Sequence, residues 1–126
     1  ITYGLERICM FTQQTKNVYD LLWNDEKIKY GEVFHQSEKE FSAYNFEYAN
    51  TENLFKIFDM FELEAKALVE KKLSLPAYDQ CLKASHVFNI LDARGVISVA
   101  QRAGYIGRIR DITKAVAESW LSSQID

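Results

Sequence analysis

Apolar side chains recur at helical spacing through the middle of the chain, and this pattern constrains the fold more than any other feature. The repeating positions are Leu54, Ile57, Phe58, Phe61, Ala65 and Leu68. Because an α-helix turns once every ~3.6 residues, these positions share one face. The other faces carry oppositely charged pairs four residues apart, Glu52 with Lys56 and Glu62 with Lys66. Each such pair stabilises a helix by about 0.2–0.5 kcal/mol. We predict an amphipathic helix over residues 51–72.

Helix-breaking residues are scarce, which favours further long helices. The chain of 126 residues has only 5 glycines and 1 proline. Pro76 suits the first position of a helix that runs to about Arg94 and stops at Gly95. The side chains that this helix is predicted to bury are Tyr78, Cys81, Leu82, Ser85 and Phe88. Ser98 and Gln101 form a capping-box sequence that opens a last helix of roughly 24 residues.

The segment 31–49 is compatible with two local structures. Its helical stripe consists of Phe34, Phe41, Tyr44 and Tyr48. Tyr44, Phe46 and Tyr48 also alternate as they would in a strand. We favour a helix, because residues 38–40 are two glutamates and a lysine, which are good helix formers.

Two shorter elements precede that segment. Residues 4–14 are predicted to form a first helix, and residues 17–29 a connector with one short turn of helix around residues 19–22. With the longer helices, these elements predict an all-α chain, a bundle of about five helices with short connections.

Composition excludes several classes of function. The formal net charge of −3 gives no electrostatic basis for nucleic-acid binding by the chain as a whole. The apolar runs are too short to cross a bilayer, so no membrane partner is expected. Cys9 and Cys81 are far apart in sequence, which is typical of buried thiols in a reducing cytoplasm. His35 and His86 lack metal-type spacing, so no metal site is expected within the chain. His86 is predicted to be a hydrogen-bonded core or interface residue.

The last third of the chain is locally basic. Its cations are Arg94, Arg102, Arg108, Arg110 and Lys114. Measured from Arg102 around a helix, Arg108 lies near ~240° and Arg110 near ~80°, so the charges surround the helix. We therefore expect a solvated or subunit-facing helix rather than a surface for nucleic acid. Arg94 is expected to pair with a helix C-terminus or with an acid on another element.

The first seven residues, Ile1–Arg7, combine a strand end, a glycine turn and the first turn of a helix. Gly4 would let the backbone approach a flat ligand closely. Arg7 offers a planar, permanently charged fork that suits phosphate oxygens. Glu6 lies in the same turn, where a carboxylate suits the helix dipole. Taken by itself, an arginine at this position is more often an exposed residue of a helix surface than a phosphate ligand.

This opening resembles motif 3 of the class II aminoacyl-tRNA synthetases, and the resemblance continues along the chain. The further matching segments are Tyr19-Asp20-Leu21-Leu22-Trp23, Tyr30-Gly31-Glu32-Val33-Phe34-His35-Gln36, Tyr44-Asn45-Phe46-Glu47-Tyr48-Ala49 and Asn89-Ile90-Leu91-Asp92-Ala93-Arg94. Together they are similar to the C-terminal part of the α subunit of bacterial heterotetrameric glycyl-tRNA synthetase. The resemblance covers essentially the whole chain.

The resemblance implies roles for three residues. Arg7 would be the catalytic residue, placed near the γ-phosphate of ATP, and Gly4 would lie near the adenine. Thr2 would help to form the glycine pocket, although a strand threonine without a chemical role is an equal alternative. ATP would be a substrate and Mg²⁺ would arrive with it, with no ligand in this chain. Residues 1–14 would end the catalytic domain, and residues 15–126 would be the helical C-terminal domain.

The resemblance also implies an activity and its partners. The full reaction activates glycine with ATP and transfers it to tRNA(Gly) in the cytoplasm. The partners would be a second α subunit and β subunits, in an α2β2 enzyme. Because the chain lacks an initiator Met and the other two class II motifs, we expect it to be a fragment without activity of its own. The alternative is a non-catalytic helical module that positions a partner subunit or tRNA.

Overall fold

The computed structural model describes residues 3–124, which are all-α as predicted. The α-helices are α1 (Leu5–Thr12), α2 (Tyr30–Ala43), α3 (Thr51–Glu70), α4 (Ser74–Ala93) and α5 (Val99–Ser122). A 3-10 turn covers Val18–Asp20, and a π-helical turn covers Tyr44–Tyr48. Extended pairing within residues 3–124 is limited to one isolated bridge between Leu22 and Lys29. In the same stretch, no helix is both long and apolar enough to span a bilayer.

The chain divides into two compact units, Ile1–Tyr44 and Asn45–Asp126. The π-helical turn begins at the last residue of the first unit and continues into the second. The ambiguous segment 31–49 is therefore helical, as we favoured, although its helix changes type at Tyr44. The predicted domain boundary after residue 14 marks the end of motif 3 and is not meant as a boundary between compact units. It stays a prediction.

The first unit holds its connector against α1 through one side chain. The amide of Gln13 donates to the Leu22 carbonyl at 3.1 Å, and its oxygen accepts from the Leu22 backbone N–H at 2.7 Å. Gly31 lets α2 approach the 3-10 turn, because a Cβ at this position would lie 3.0 Å from the Tyr19 carbonyl oxygen. The ring of Phe34 packs against Tyr30 at 4.7 Å between centroids. These contacts fix the surface beside α1.

The second unit packs α3, α4 and α5 around a shared core. The buried side chains on its two clusters are Ala49, Leu54, Phe58, Ala84, Val87, Phe88, Ile90 and Leu91, then Ala65, Ala77, Cys81, Ile112 and Val116. Phe58 is 0% exposed, as its position on the predicted apolar stripe requires. The predicted capping box is confirmed: Ser98 Oγ accepts from the Gln101 backbone N–H at 3.2 Å, and the Gln101 side chain accepts from the Ser98 N–H at 3.0 Å.

Several predictions about α4 were wrong. The helix begins at Ser74, so Pro76 occupies its third position; proline is tolerated there because the first-turn N–H groups have no partner within the helix. Tyr78 and Leu82 are exposed. In the first half of α4 the buried face consists instead of small residues, Ser74, Ala77, Cys81 and Ala84, and Tyr78 lies about 100° around the helix from Ala77. His86 is exposed and is not a core residue.

Cys9 also differs from its prediction. It is an exposed free thiol, because α1 has no buried residue at all, whereas Cys81 is buried as predicted. Burial raises the pKa of the Cys81 thiol, which keeps that side chain neutral and unreactive.

Candidate functional site

Gly4 and Arg7 stand one turn apart at the start of α1. Gly4 is the residue before the helix and has φ 70° and ψ 102°, a left-handed conformation that disfavours residues with a Cβ. Its carbonyl accepts the Ile8 N–H at 3.3 Å, which closes the first turn. The structure therefore confirms the predicted glycine turn and the helix that follows it. Thr2, the predicted contributor to the glycine pocket, lies outside the described residues.

Arg7 is exposed on that first turn. Among residues 3–124, no carboxylate lies within ion-pair distance of its guanidinium. Within residues 3–124, Glu6 has no salt-bridge partner, and it accepts a long hydrogen bond of 3.5 Å from the Tyr30 hydroxyl. Partial burial raises the pKa of the Tyr30 phenol, and the charge of Glu6 adds to the shift. The guanidinium of Arg7 is thus available to an anionic ligand that is not part of residues 3–124.

A groove of about 420 Å³ runs beside α1, on the side away from Arg7. It is lined by Leu5, Glu6, Cys9, Leu21, Leu22, Trp23, Tyr30 and Phe34. Arg7 lies about 160° around the helix from Cys9, so the groove and the guanidinium belong to different faces. The structure does not bring Arg7 together with the groove. An apolar lining with one carboxylate suits packing against another apolar surface better than binding a phosphate.

Three arginines of the last third are engaged within the second unit. Arg94 Nη1 donates to the Ala49 carbonyl at 2.6 Å, just past the end of the π-helical turn. This confirms the prediction that Arg94 pairs with a helix C-terminus. Arg102 Nε lies 3.1 Å from both carboxylate oxygens of Asp92.

Arg108 makes the largest set of contacts. Its Nε donates to Glu62 at 2.9 Å and its Nη2 donates to Asp59 at 2.5 Å and to Glu62. The guanidinium also lies 4.6 Å from the ring centroid of Phe58 and 5.2 Å from that of Tyr105. Because Arg108 donates to it, the pKa of buried Glu62 lies below its ordinary value.

Sequence analysis missed this cluster, because it placed Glu62 on the solvent side of α3 with only Lys66 as partner. The pair with Lys66 exists, at 2.8 Å, but the second oxygen of Glu62 faces Arg108. The spacing of Glu62 from Phe58, four residues along the apolar stripe, was a signal that could have revealed its burial. Arg102 and Arg108 therefore each form ion pairs with carboxylates of this unit and have a structural role there.

The comparison with known families shows to which family the chain belongs. The model of the family described as glycyl-tRNA synthetase alpha subunit matches residues 1–125. The chain belongs to that family. The resemblance seen in the motifs is confirmed over essentially the whole chain.

Membership in the glycyl-tRNA synthetase α subunit family defines the general chemistry. The family consists of aminoacyl-tRNA synthetases, which are ligases that use ATP and Mg²⁺. An α subunit also implies a partner subunit and tRNA. These properties are those of the family as a whole.

The side chains of residues 3–124 do not form a Mg²⁺ site of their own. Across residues 3–124, the structure has no group of three or more His, Cys, Asp or Glu side chains that could hold a metal ion. Carboxylate oxygens are the ligands that Mg²⁺ prefers, and here Glu62, Asp59 and Asp92 are held by arginines. No step of the chemistry is assigned to a metal bound by these residues.

Proposed function

We propose that this chain supplies motif 3 and the helical C-terminal domain of the α subunit of a glycine–tRNA ligase. Residues 1–14 end the catalytic domain, and residues 15–126 form the helical domain. The observation that carries the proposal is the positive φ of Gly4 followed by the exposed guanidinium of Arg7, which has no ion-pair partner among residues 3–124. This is the arrangement that a phosphate clamp beside a tight backbone turn requires.

The proposed chemistry gives Arg7 an electrostatic role. A carboxylate oxygen of glycine attacks the α-phosphorus of ATP, and the bond from that phosphorus to the bridging oxygen breaks. The electron pair leaves with pyrophosphate, where negative charge accumulates. A guanidinium held near the γ-phosphate stabilises that charge, and groups of this kind are typically worth about 10²–10³ in rate. Gly4 lets the backbone lie close to the adenine, and Thr2 lines the glycine pocket.

The exposed apolar side chains of α1 support a further packing partner for this helix. Leu5 and Phe11 on α1, and Tyr3 just before it, are largely exposed. Apolar surface of this extent favours burial against another surface. In the proposal, the catalytic sheet of the same subunit covers this helix and places Arg7 at its edge.

The same proposal sets the partners. The enzyme is an α2β2 assembly in the cytoplasm that binds tRNA(Gly). The exposed aromatic side chains Phe41 and Tyr44 on α2 and at its end support a role for the helical region in packing against a partner. That observation also favours the second candidate function, a non-catalytic helical module that positions a partner subunit or tRNA.

Glycine-dependent exchange of pyrophosphate into ATP tests the proposal. In the complete α subunit, assembled with β, replacement of Arg7 by alanine is expected to suppress exchange while the thermal unfolding temperature stays unchanged. Lys39→Ala on α2 is the matched control, since Lys39 is also an exposed cation of the first unit. Normal exchange by the Arg7 variant would favour the non-catalytic module.

A further inference from the structure

An apolar strip on α4 is left without a partner inside the second unit. Leu75, Tyr78 and Leu82 are 66%, 46% and 52% exposed. They recur at the spacing of one helix face, which is the pattern of side chains that a helix normally buries. Their exposure is the reason that the sequence-based prediction for α4 was wrong. The sequence pattern of this face is that of a surface that packs against another helix. In the structure, however, the face is exposed to solvent.

Leu75 and Tyr78 form one wall of a groove between α4 and α5, and Leu82 continues the strip one turn beyond it. Trp120, which is 44% exposed, stands on the opposite wall. The groove has a volume of about 270 Å³ and is lined by Ser74, Leu75, Tyr78, Thr113, Val116, Ala117 and Trp120. The two walls are tied together near one end by a hydrogen bond of 2.9 Å between the hydroxyls of Ser74 and Ser119. The groove is thus preformed and mostly apolar.

The rim of the groove on α5, one turn before the lining residue Thr113, carries the exposed cation Arg110. Arg110 lies about 60° around the helix from Thr113, whereas Asp111 lies about 160° away. Among residues 3–124, no carboxylate is within ion-pair distance of Arg110. Arg102 and Arg108 on the same helix are both paired. The rim therefore presents a positive charge that a carboxylate on an incoming chain would complement.

We propose that this groove binds an amphipathic helix of the β subunit that carries an apolar face and a carboxylate placed to meet Arg110. The inference rests on the proposed function, which supplies β as a partner, and it adds the surface and the chemistry of the contact. Trp120 and Arg110 are ten residues apart along α5, a rise of about 15 Å. The carboxylate therefore lies about three helical turns from the apolar residue that contacts Trp120.

A second copy of this chain fits the rim less well. A two-fold contact brings the same surface of each copy together. The carboxylate on the exposed side of α4, Asp79, is already held by Lys83 at 2.7 Å. In such a dimer, Asp79 would have to leave Lys83 in order to pair with Arg110. Charge complementarity favours a different chain with an acidic residue.

The test measures the dissociation constant of the complete α subunit for purified β by sedimentation or calorimetry. Tyr78→Glu and Leu82→Glu are each expected to weaken binding by at least about tenfold, because Tyr78 lines the groove and Leu82 extends its apolar wall by one turn. Arg110→Glu is expected to weaken it comparably, while Arg110→Lys retains most of the affinity. Leu63→Glu is the matched control, because Leu63 is 66% exposed on α3 and lies outside the groove. Its affinity for β is expected to equal that of the wild type.

Four results would overturn the proposal. The first is an unchanged affinity for β in Tyr78→Glu, Leu82→Glu and Arg110→Glu, with all three variants folded by circular dichroism. The second is loss of α–α association with β binding intact, which would make a second copy the occupant. The third is a lower unfolding temperature of free α, which would make the occupant another segment of the same subunit. The fourth is weaker binding of tRNA by the groove variants while their affinity for β is unchanged.

Glycine-dependent exchange by the wild-type complex separates this inference from the proposed function. Absence of exchange there would reject the ligase assignment whatever the groove variants do. Normal exchange with unaltered β affinity in the variants would reject the groove alone.

Discussion

The Nε atom of Arg108 on α5 donates a hydrogen bond of 2.9 Å to the carboxylate of Glu62 on α3. The two residues are 46 positions apart in the sequence, and Glu62 is buried. The contact joins two helices of the second unit through a charge that water hardly reaches. Removing Arg108 leaves Glu62 with Lys66 alone, and removing Glu62 leaves Arg108 with Asp59 alone.

Replacement of Arg108 by methionine is expected to lower the free energy of unfolding by about 1–3 kcal/mol, because one oxygen of the buried Glu62 carboxylate loses its donor and only the contact with Lys66 remains. Chemical denaturation of the variant and of the double variant with Glu62→Gln measures the coupling between the two residues. Arg102→Met is the control, since its pair with Asp92 is more exposed and is expected to be worth less than about 1 kcal/mol. If the stability losses of the two single variants add up to the loss of the double variant, the two side chains do not interact.

The same pair predicts how stability depends on pH. The pKa of Glu62 in the folded chain lies below the ordinary value of 4.5, chiefly because Arg108 donates to the carboxylate. A lowered folded pKa gives stability that is present above the ordinary value and is lost as the pH falls through the folded value. The free energy of unfolding is therefore expected to fall more steeply below pH 4.5 in the wild type than in Glu62→Gln. Glu64→Gln, at an exposed neighbouring position, is expected to keep the wild-type slope.

Phe58 is expected to be a purely structural residue. It is 0% exposed and lies in the core between α3 and α4. Phe58→Ala is expected to cost about 3–5 kcal/mol of stability, the range for a fully buried phenylalanine. Phe46→Ala is the matched control at an exposed position and is expected to change stability by less than about 0.5 kcal/mol. Similar unfolding midpoints for the two variants would contradict the core assignment.

Arg102 and Arg108 are expected to contribute little to tRNA binding, because both are occupied by carboxylates of their own chain. Each phosphate contact that a protein makes steepens the dependence of log affinity on log salt by about 0.7–0.9. Arg102→Ala in the assembled enzyme is expected to leave that slope unchanged. A slope reduced by nearly one, with α–β association intact, would mean that this arginine contacts tRNA.

The helices could be predicted because their signals are local. The apolar repeat of α3, the capping box at Ser98 and the stop at Gly95, which has φ 66°, all lie within a few residues of the structure they specify. The exposed face of α4 could not be predicted, because this helix is apolar on more than one side. Only packing against α3 and α5 selects the face of Ala77 and Cys81 for burial.

The candidate site is predictable to a different degree. The turn at Gly4 follows from its residue type, and the structure confirms its conformation. The partner of Glu62 could not be inferred, because the contact with Arg108 joins segments that are distant in sequence. The role of Arg7 depends on a ligand rather than on contacts within the chain, so it stays a prediction.

Glycine-dependent ATP–pyrophosphate exchange by the assembled enzyme tests the central claim most directly. Arg7→Ala is expected to slow exchange by about 10²–10³-fold, because a charge clamp on the leaving group is lost. Arg7→Lys is expected to restore only part of the rate, since a point charge lacks the planar fork of arginine. Stability is expected to be unchanged, because Arg7 is exposed and makes no ion pair among residues 3–124. Exchange at the wild-type rate in the alanine variant would contradict the assignment of Arg7 to the active site.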